Sequence, residues 1–151
     1  MISFTIYTLI IITVSIFKIP DRKTKGNQLG LALLMIAIFI MAAFRRYDVG
    51  NDTQSYLSFF SQISLGNIAY DPRIEPGYRY LNLLVSLFSN NFTWILIISS
   101  FLLLFPAYSL FRKFSDNPKL CVLLFWMLGF TTLVSATRQA IAVGFLCIAT
   151  P

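Results

Sequence analysis

Long apolar runs separated by short polar breaks dominate the chain. Residues 2–17, 29–44, 92–111 and 120–137 are almost uninterrupted hydrophobic stretches, and another begins at 139. A helix needs roughly 20 apolar residues to cross a bilayer, so each run predicts a spanning helix. The first is slightly short and is completed by Lys18 snorkelling to the interface. Two other segments carry helical period without that length. Over 53–65, Tyr56, Phe59, Phe60 and Ile63 fall at i, i+3, i+4 and i+7, with Gln54, Ser58, Ser61 and Gln62 on the other side. Asp52 or Asn51 is the expected N-cap. Over 76–89, Pro76 suits the first helical position. Arg79, Asn82, Ser86 and Ser89 form a polar stripe there, and Leu81, Leu84, Val85 and Phe88 an apolar one. The first segment is too short to span and predicts an interfacial helix with its aromatic face toward lipid; the second either spans, or lies at the interface or dips in and returns.

Charge orients these elements. The loop 18–28 holds Lys18, Arg22, Lys23 and Lys25 against one acid, Asp21. The positive-inside rule places it in the cytoplasm and the N-terminus outside. Run 29–44 then delivers Arg45 to the outer face. If 76–89 spanned, Arg112, Lys113 and Lys119 would lie outside; as an interfacial segment it leaves them in the cytoplasm, which satisfies the rule at both basic loops. Run 120–137 brings Arg138 back to the outer face. The expectation is an all-α, polytopic transmembrane protein, with about four to five spanning helices and two short interfacial helices outside. Residues 1–151 read as a single transmembrane domain, the N-terminal part of a longer polytopic protein, because the chain ends at Thr150-Pro151 inside an apolar run.

Composition agrees. The chain is 57% hydrophobic and 12% charged, against roughly 25% charged in average soluble domains. A net charge of +6 would suggest nucleic acid in a soluble domain. Here the cations sit mostly at the ends of apolar runs, where they set topology or meet head groups, so the bilayer is the expected partner and nucleic acid is not. There is no histidine, the commonest general base and metal ligand. Cys121 and Cys147 lie within apolar runs and read as small hydrophobes. The acidic residues are too scattered for a metal cage, so neither metal nor cofactor is expected. The N-terminus lacks the basic region and cleavage site of a signal peptide.

Four of the six acidic residues, Asp48, Asp52, Asp71 and Glu75, fall between Arg45 and Tyr78. Three groups there and beyond can carry chemistry. Arg45 and Arg46, beside Asp48, Gly50 and Asp52, can fork onto phosphate or carboxylate oxygens; interfacial anchoring with local ion pairs is the rival reading. Paired arginines at an outer helix end run against positive-inside selection, which favours function. Glu75, ahead of Pro76, Gly77 and Tyr78, is either a general base or sugar-hydroxyl acceptor, or a complement to the helix dipole. Ser135, Thr137, Arg138 and Gln139 sit between apolar segments. A charge inside a spanning helix costs about 2.5–3.5 kcal/mol on insertion scales and marks a functional site by default, with snorkelling as the alternative. The topology brings all three groups to one outward face, cationic at its centre and carboxylate-bearing at its rim. Such a site fits an amphiphilic anion whose lipid part stays in the bilayer.

The segments FRRYDVGNDTQSY, EPGYRYLN and SATRQAIA, in that order, resemble the EpsG family of bacterial polysaccharide polymerases, relatives of the Wzy O-antigen polymerases. Arg46, Gly50, Asp52 and Tyr56 match the pattern R-x-x-x-G-x-D-x-x-x-Y, with Asn51 where threonine is common. Glu75, Pro76, Gly77 and Tyr78 match the second box, and Ser135, Arg138 and Gln139 the third. The resemblance implies a metal-independent membrane glycosyltransferase of the bacterial inner membrane. It would join repeat units carried on undecaprenyl diphosphate into surface polysaccharide at the outer face, with a flippase and chain-length regulators as candidate partners. On that reading Asp52, Glu75 and Arg138 are the catalytic candidates, with Arg45, Arg46, Tyr56, Tyr78, Arg79, Ser135 and Gln139 binding substrate. A transporter or flippase of lipid-linked sugars, or a non-catalytic export subunit, are the alternatives. Transporters hold their ions near the bilayer midplane, whereas these charges are expected at one face.

Overall fold

A computed structural model describes residues 25–49, 52–66, 74–128 and 137–149. The described residues form helices and turns, with no strand among them. In chain order these are α1 (Lys25–Ala43), α2 (Thr53–Ser64), α3 (Pro76–Ser86), α4 (Thr93–Phe114), α5 (Pro118–Leu128) and α6 (Thr137–Ala149). The first apolar run, residues 18–24 of the basic loop, Gly50, Asn51, Asp71, Arg73 and Ser135 lie outside the described residues.

Helix α4 is the axis of the structure, packing on α1, α3, α5 and α6. Its length and composition suffice to cross a membrane, and it alone among the described helices meets that standard. The apolar parts of α1 and α5, Gln28–Ala43 and Pro118–Met127, are shorter. Helix α1 is apolar all round: Leu31, Leu34, Met35, Ile38 and Ala42 are buried, while Leu29, Leu33, Ile36 and Ile40 are exposed. Phe101 and Phe105 of α4 and Leu120, Leu124 and Met127 of α5 are exposed as well. Helices with apolar residues on every side, rather than on one stripe, belong in lipid or a fully buried core.

Two cores share α4. Leu103 and Leu104 join Leu31, Ile38, Val122 and Trp126 in a core between α1, α4 and α5. At the other end of α4, Phe92, Ile95 and Leu96 join Tyr56, Phe60 and Ile63 of α2 and Tyr78 and Val85 of α3. The short helices therefore pack over the start of α4. The turns are locally determined. Asn91 Oδ1 accepts the Thr93 amide at 2.9 Å before α4, and Asn117 Oδ1 accepts the Leu120 amide at 3.3 Å before α5. Gly66, with φ +81°, ends α2 in the left-handed conformation open to glycine. Within α4, Pro106 removes one helical hydrogen bond, and its ring faces Gly144 of α6. A Cβ built at Gly144 would stand 3.1 Å from Pro106 Cβ.

Two local expectations change, for the face and the cap of α2, and the structure adds which way α3 faces. The aromatic face of α2 turns toward protein rather than lipid: Phe60 lies 5.9 Å from Phe92 and Phe59 6.5 Å from Tyr78, between ring centroids. On α3 the buried face takes residues from both stripes. Asn82 is fully buried with Tyr78 and Val85, whereas Leu84, Leu87 and Phe88 are exposed. A buried asparagine beside exposed leucine and phenylalanine suits a helix whose surroundings are lipid. Finally, Asp52 occupies the N-cap position of α2 but its side chain makes no capping bond. Thr53 instead donates its hydroxyl to the Val49 carbonyl at 2.7 Å.

Candidate functional site

The turn after α1, the first turns of α2 and α3, and the start of α6 meet at one end of the structure. Tyr47, just past α1, hydrogen-bonds Thr93 at the start of α4 through their hydroxyls, 3.2 Å apart. At the opposite end, Gly30 of α1 faces Lys119 at the start of α5. Helix α1 therefore runs antiparallel to α4, and its last turn lies beside the first turn of α4.

Glu75 precedes Pro76, and the proline ring holds the preceding residue extended, at φ −60° and ψ 140°. Its carboxylate makes no cap to its own helix. It forms an ion pair with Arg138 of α6, 63 residues later in sequence. The same guanidinium lies over two rings, with its carbon 5.3 Å from the centroid of Tyr56 and 5.8 Å from that of Tyr78. Those rings are 5.4 Å apart. Each cation–π contact contributes about 0.5–2 kcal/mol as water is excluded, so the aromatic pair and the carboxylate together fix the guanidinium plane. The Arg138 side chain is about one quarter exposed, leaving part of it open to a ligand.

Arg45 is the second cation here. Its Nη1 donates to the Ala42 carbonyl at 2.9 Å, closing the end of α1, and its Nε is buried without a hydrogen-bond partner. Burial lowers the pKa of Arg45, and Tyr78 and Tyr56 act in the opposite sense. The guanidinium nevertheless stays charged at any ordinary pH. Burial likewise raises the pKa of the Tyr78 phenol, opposed by Asn82 and by the guanidiniums of Arg138 and Arg45. Tyr78 is thus a neutral hydroxyl between two cations. Two guanidiniums against one carboxylate leave net positive charge, the electrostatics of an anion site.

The remaining candidates are dispersed. Arg46 turns away to the surface and pairs with Asp48 at 3.3 Å. Asp52 is exposed one turn before Tyr56, whose amide bonds its carbonyl at 3.0 Å. Arg79 is half-buried on α3, and Gln139 is exposed beside Arg138. Among the described residues, no group of three or more His, Cys, Asp or Glu side chains could hold a metal ion.

Beside this cluster, across Arg45, an open cleft of about 810 Å³ is lined by Arg45, Arg46, Tyr47, Asp48, Gln54 and Ser58, among others. Sequence reasoning missed Tyr47, which holds the cleft against α4, and Phe59, which stacks on Tyr78. The signal for Tyr47 was its position between the charged residues Arg46 and Asp48; that for Phe59 was the helical period it shares with Tyr56.

Residues 28–151 match the model of the EpsG family. No curated protein and no solved structure matches the chain.

Proposed function

Because this chain belongs to the EpsG family, we propose that it is a membrane glycosyltransferase of polysaccharide synthesis. In this reading it polymerises repeat units carried on undecaprenyl diphosphate at the outer face of the bacterial inner membrane. The observation that carries the reading is Arg138, which gathers Glu75, Tyr56 and Tyr78 around one guanidinium. Motifs far apart in sequence become one site, and its net positive charge suits a diphosphate.

That placement supports the following reaction. A hydroxyl of the acceptor glycan attacks the anomeric carbon of the donor. The bond from that carbon to the diphosphate oxygen breaks, and its electron pair leaves with undecaprenyl diphosphate. Arg138 and Arg45 stabilise the charge that develops on the leaving group, the largest kind of contribution a preorganised site makes. Glu75, engaged by Arg138, holds that guanidinium in place. Asp52, whose carboxylate caps nothing, accepts the hydroxyl proton.

The site end of the structure is then the outer end, with the N-terminus outside and Arg112, Lys113 and Lys119 in the cytoplasm. Helices α2 and α3 lie at the outer interface, and about four to five spans cross the bilayer, counting the runs before α1 and at the chain end. A flippase supplies the lipid-linked units and chain-length regulators act on the product.

The test is Arg138→Ala in cells expressing the protein. Loss of polymer with accumulation of single repeat units is the expected result. Normal polymer in amount and length overturns the assignment and leaves a non-catalytic subunit. Cysteines placed at 46, 75 and 138 should label only from outside; labelling that alternates between sides points to a transporter.

A further inference from the structure

The cleft beside α2 has a chemistry different from that of the Arg138 cluster. It is open, about 810 Å³ in volume, within the roughly 300–1,000 Å³ of sites that hold small ligands. Arg46 and Asp48 pair with each other at 3.3 Å and present directional donors and acceptors, which leaves Arg45, at the edge shared with the Arg138 cluster, as the one uncompensated charge among the described lining residues. Gln54 and Ser58 project from the polar side of α2, one turn apart. The Ser58 hydroxyl donates to the Ser55 carbonyl at 2.9 Å, leaving its lone pairs as acceptors. The Tyr47 ring stands edge-on to Phe92 at 5.7 Å and is tied through its hydroxyl to Thr93, which fixes one wall. Planar hydrogen-bonding groups beside a fixed aromatic ring suit a neutral, polyhydroxylated ligand. Arg45 lines the cleft and also feels Tyr56 and Tyr78, so it is common to both places.

We propose that this cleft is a glycan subsite, distinct from the Arg138 cluster, that binds a short uncharged stretch of oligosaccharide through Asp48, Arg46, Gln54 and Ser58. The inference rests on the glycosyltransferase reading above and adds which residues hold sugar hydroxyls and where. Arg45, between the two places, sets the direction in which the glycan lies: its lipid-linked anionic end toward Arg138 and its sugars along α2.

The experiment uses the purified protein in detergent and, as probe, free repeat-unit oligosaccharide released from the host polysaccharide, without lipid or phosphate. Ligand-observed NMR gives the affinity. Asp48→Ala and Gln54→Leu, both at exposed positions, should each weaken binding by about tenfold, the loss of one or two hydrogen bonds. Arg138→Ala should bind the probe as the parent protein does. Absence of probe binding to the folded parent protein, or parent-like affinity in both cleft variants, overturns the subsite. Loss of binding in Arg138→Ala overturns its separateness. The two readings fail differently. If Arg138→Ala abolishes polymer in cells while both cleft variants keep normal chain length and normal probe affinity, the subsite is wrong and the glycosyltransferase reading stands. If Arg138→Ala makes normal polymer, the reading itself falls.

Discussion

Arg138 and Glu75 form an ion pair that joins the start of α6 to the residue before α3, across 63 positions of sequence. The guanidinium is held from one edge by the carboxylate and from its face by Tyr56 and Tyr78. An ammonium cannot reproduce that, since it has neither the fork nor the flat surface. Arg138→Lys should therefore reduce polymerisation about tenfold or more despite its retained charge. If Glu75 acts by holding Arg138, Glu75→Gln should slow the parent protein but add nothing to Arg138→Ala. Polymerisation rates measured across the four proteins of a double-mutant cycle decide this, because groups acting as a unit are non-additive. Fully additive effects would give Glu75 a role of its own.

Tyr78 makes a prediction about alkaline pH. Its phenol is buried and its pKa raised by that burial, so the folded protein keeps the proton where the unfolded chain, titrating near 10, gives it up. A raised folded pKa contributes stability that is complete below about pH 10 and falls as pH rises from there toward the folded value. The slope approaches about 1.4 kcal/mol per pH unit for one group. Thermal unfolding of Tyr78→Phe in detergent should therefore lose less stability between about pH 10 and 12 than the parent protein. Parallel curves would mean that Tyr78 titrates as an exposed phenol.

The sequence made some of this legible and hid the rest for identifiable reasons. Helix α2 was readable because Tyr56, Phe59, Phe60 and Ile63 share one face whatever covers it, and all four are buried. What covers them was not readable: periodicity names a face, not its partner, and lipid and protein are equally apolar. The two stripes of α3 were readable as well, but not which residues of each turn inward, for the same reason. In water Asn82 would face out, whereas here it packs inward and donates to the Tyr78 carbonyl at 2.7 Å. The motif resemblance singles out Arg46, yet a helix end turns Arg45 toward Tyr56 and Tyr78 and Arg46 toward Asp48. The meeting of Glu75 with Arg138 followed only from topology, through the charge rule that kept α3 from spanning.

The contact of α6 with α4 depends on Gly144. A Cβ there would approach Pro106 at 3.1 and 3.2 Å, and the proline ring is held by its own helix and cannot swing aside. Gly144→Ala should cost little, since a shift of a few tenths of an ångström relieves it. Gly144→Leu should lower stability by about 1–3 kcal/mol, the usual range for overpacking, and should displace Arg138 at the head of the same helix. Unfolding temperature in detergent and polymer yield should fall together in Gly144→Leu. A Gly144→Leu protein with parent-like stability would show that α6 does not pack at Pro106.

Lys119 carries the last prediction. It is 3% exposed, and its Nζ is buried without a hydrogen-bond partner, close enough to Gly30 that a Cβ there would stand 2.9 Å away. An ammonium taken from water and left unpaired opposes folding, while its four-carbon stem packs as well as any apolar chain. Methionine has similar length and no charge, so Lys119→Met keeps the packing and removes the desolvation penalty. Its unfolding free energy in detergent should rise by about 1–3 kcal/mol, the cost of an unsatisfied buried polar group. The opposite result has a distinct meaning. If Lys119→Met is destabilised in lipid nanodiscs containing anionic phospholipid but not in neutral ones, the ammonium is paired with a head-group phosphate, and its burial marks a lipid contact at the end opposite the Arg138 cluster.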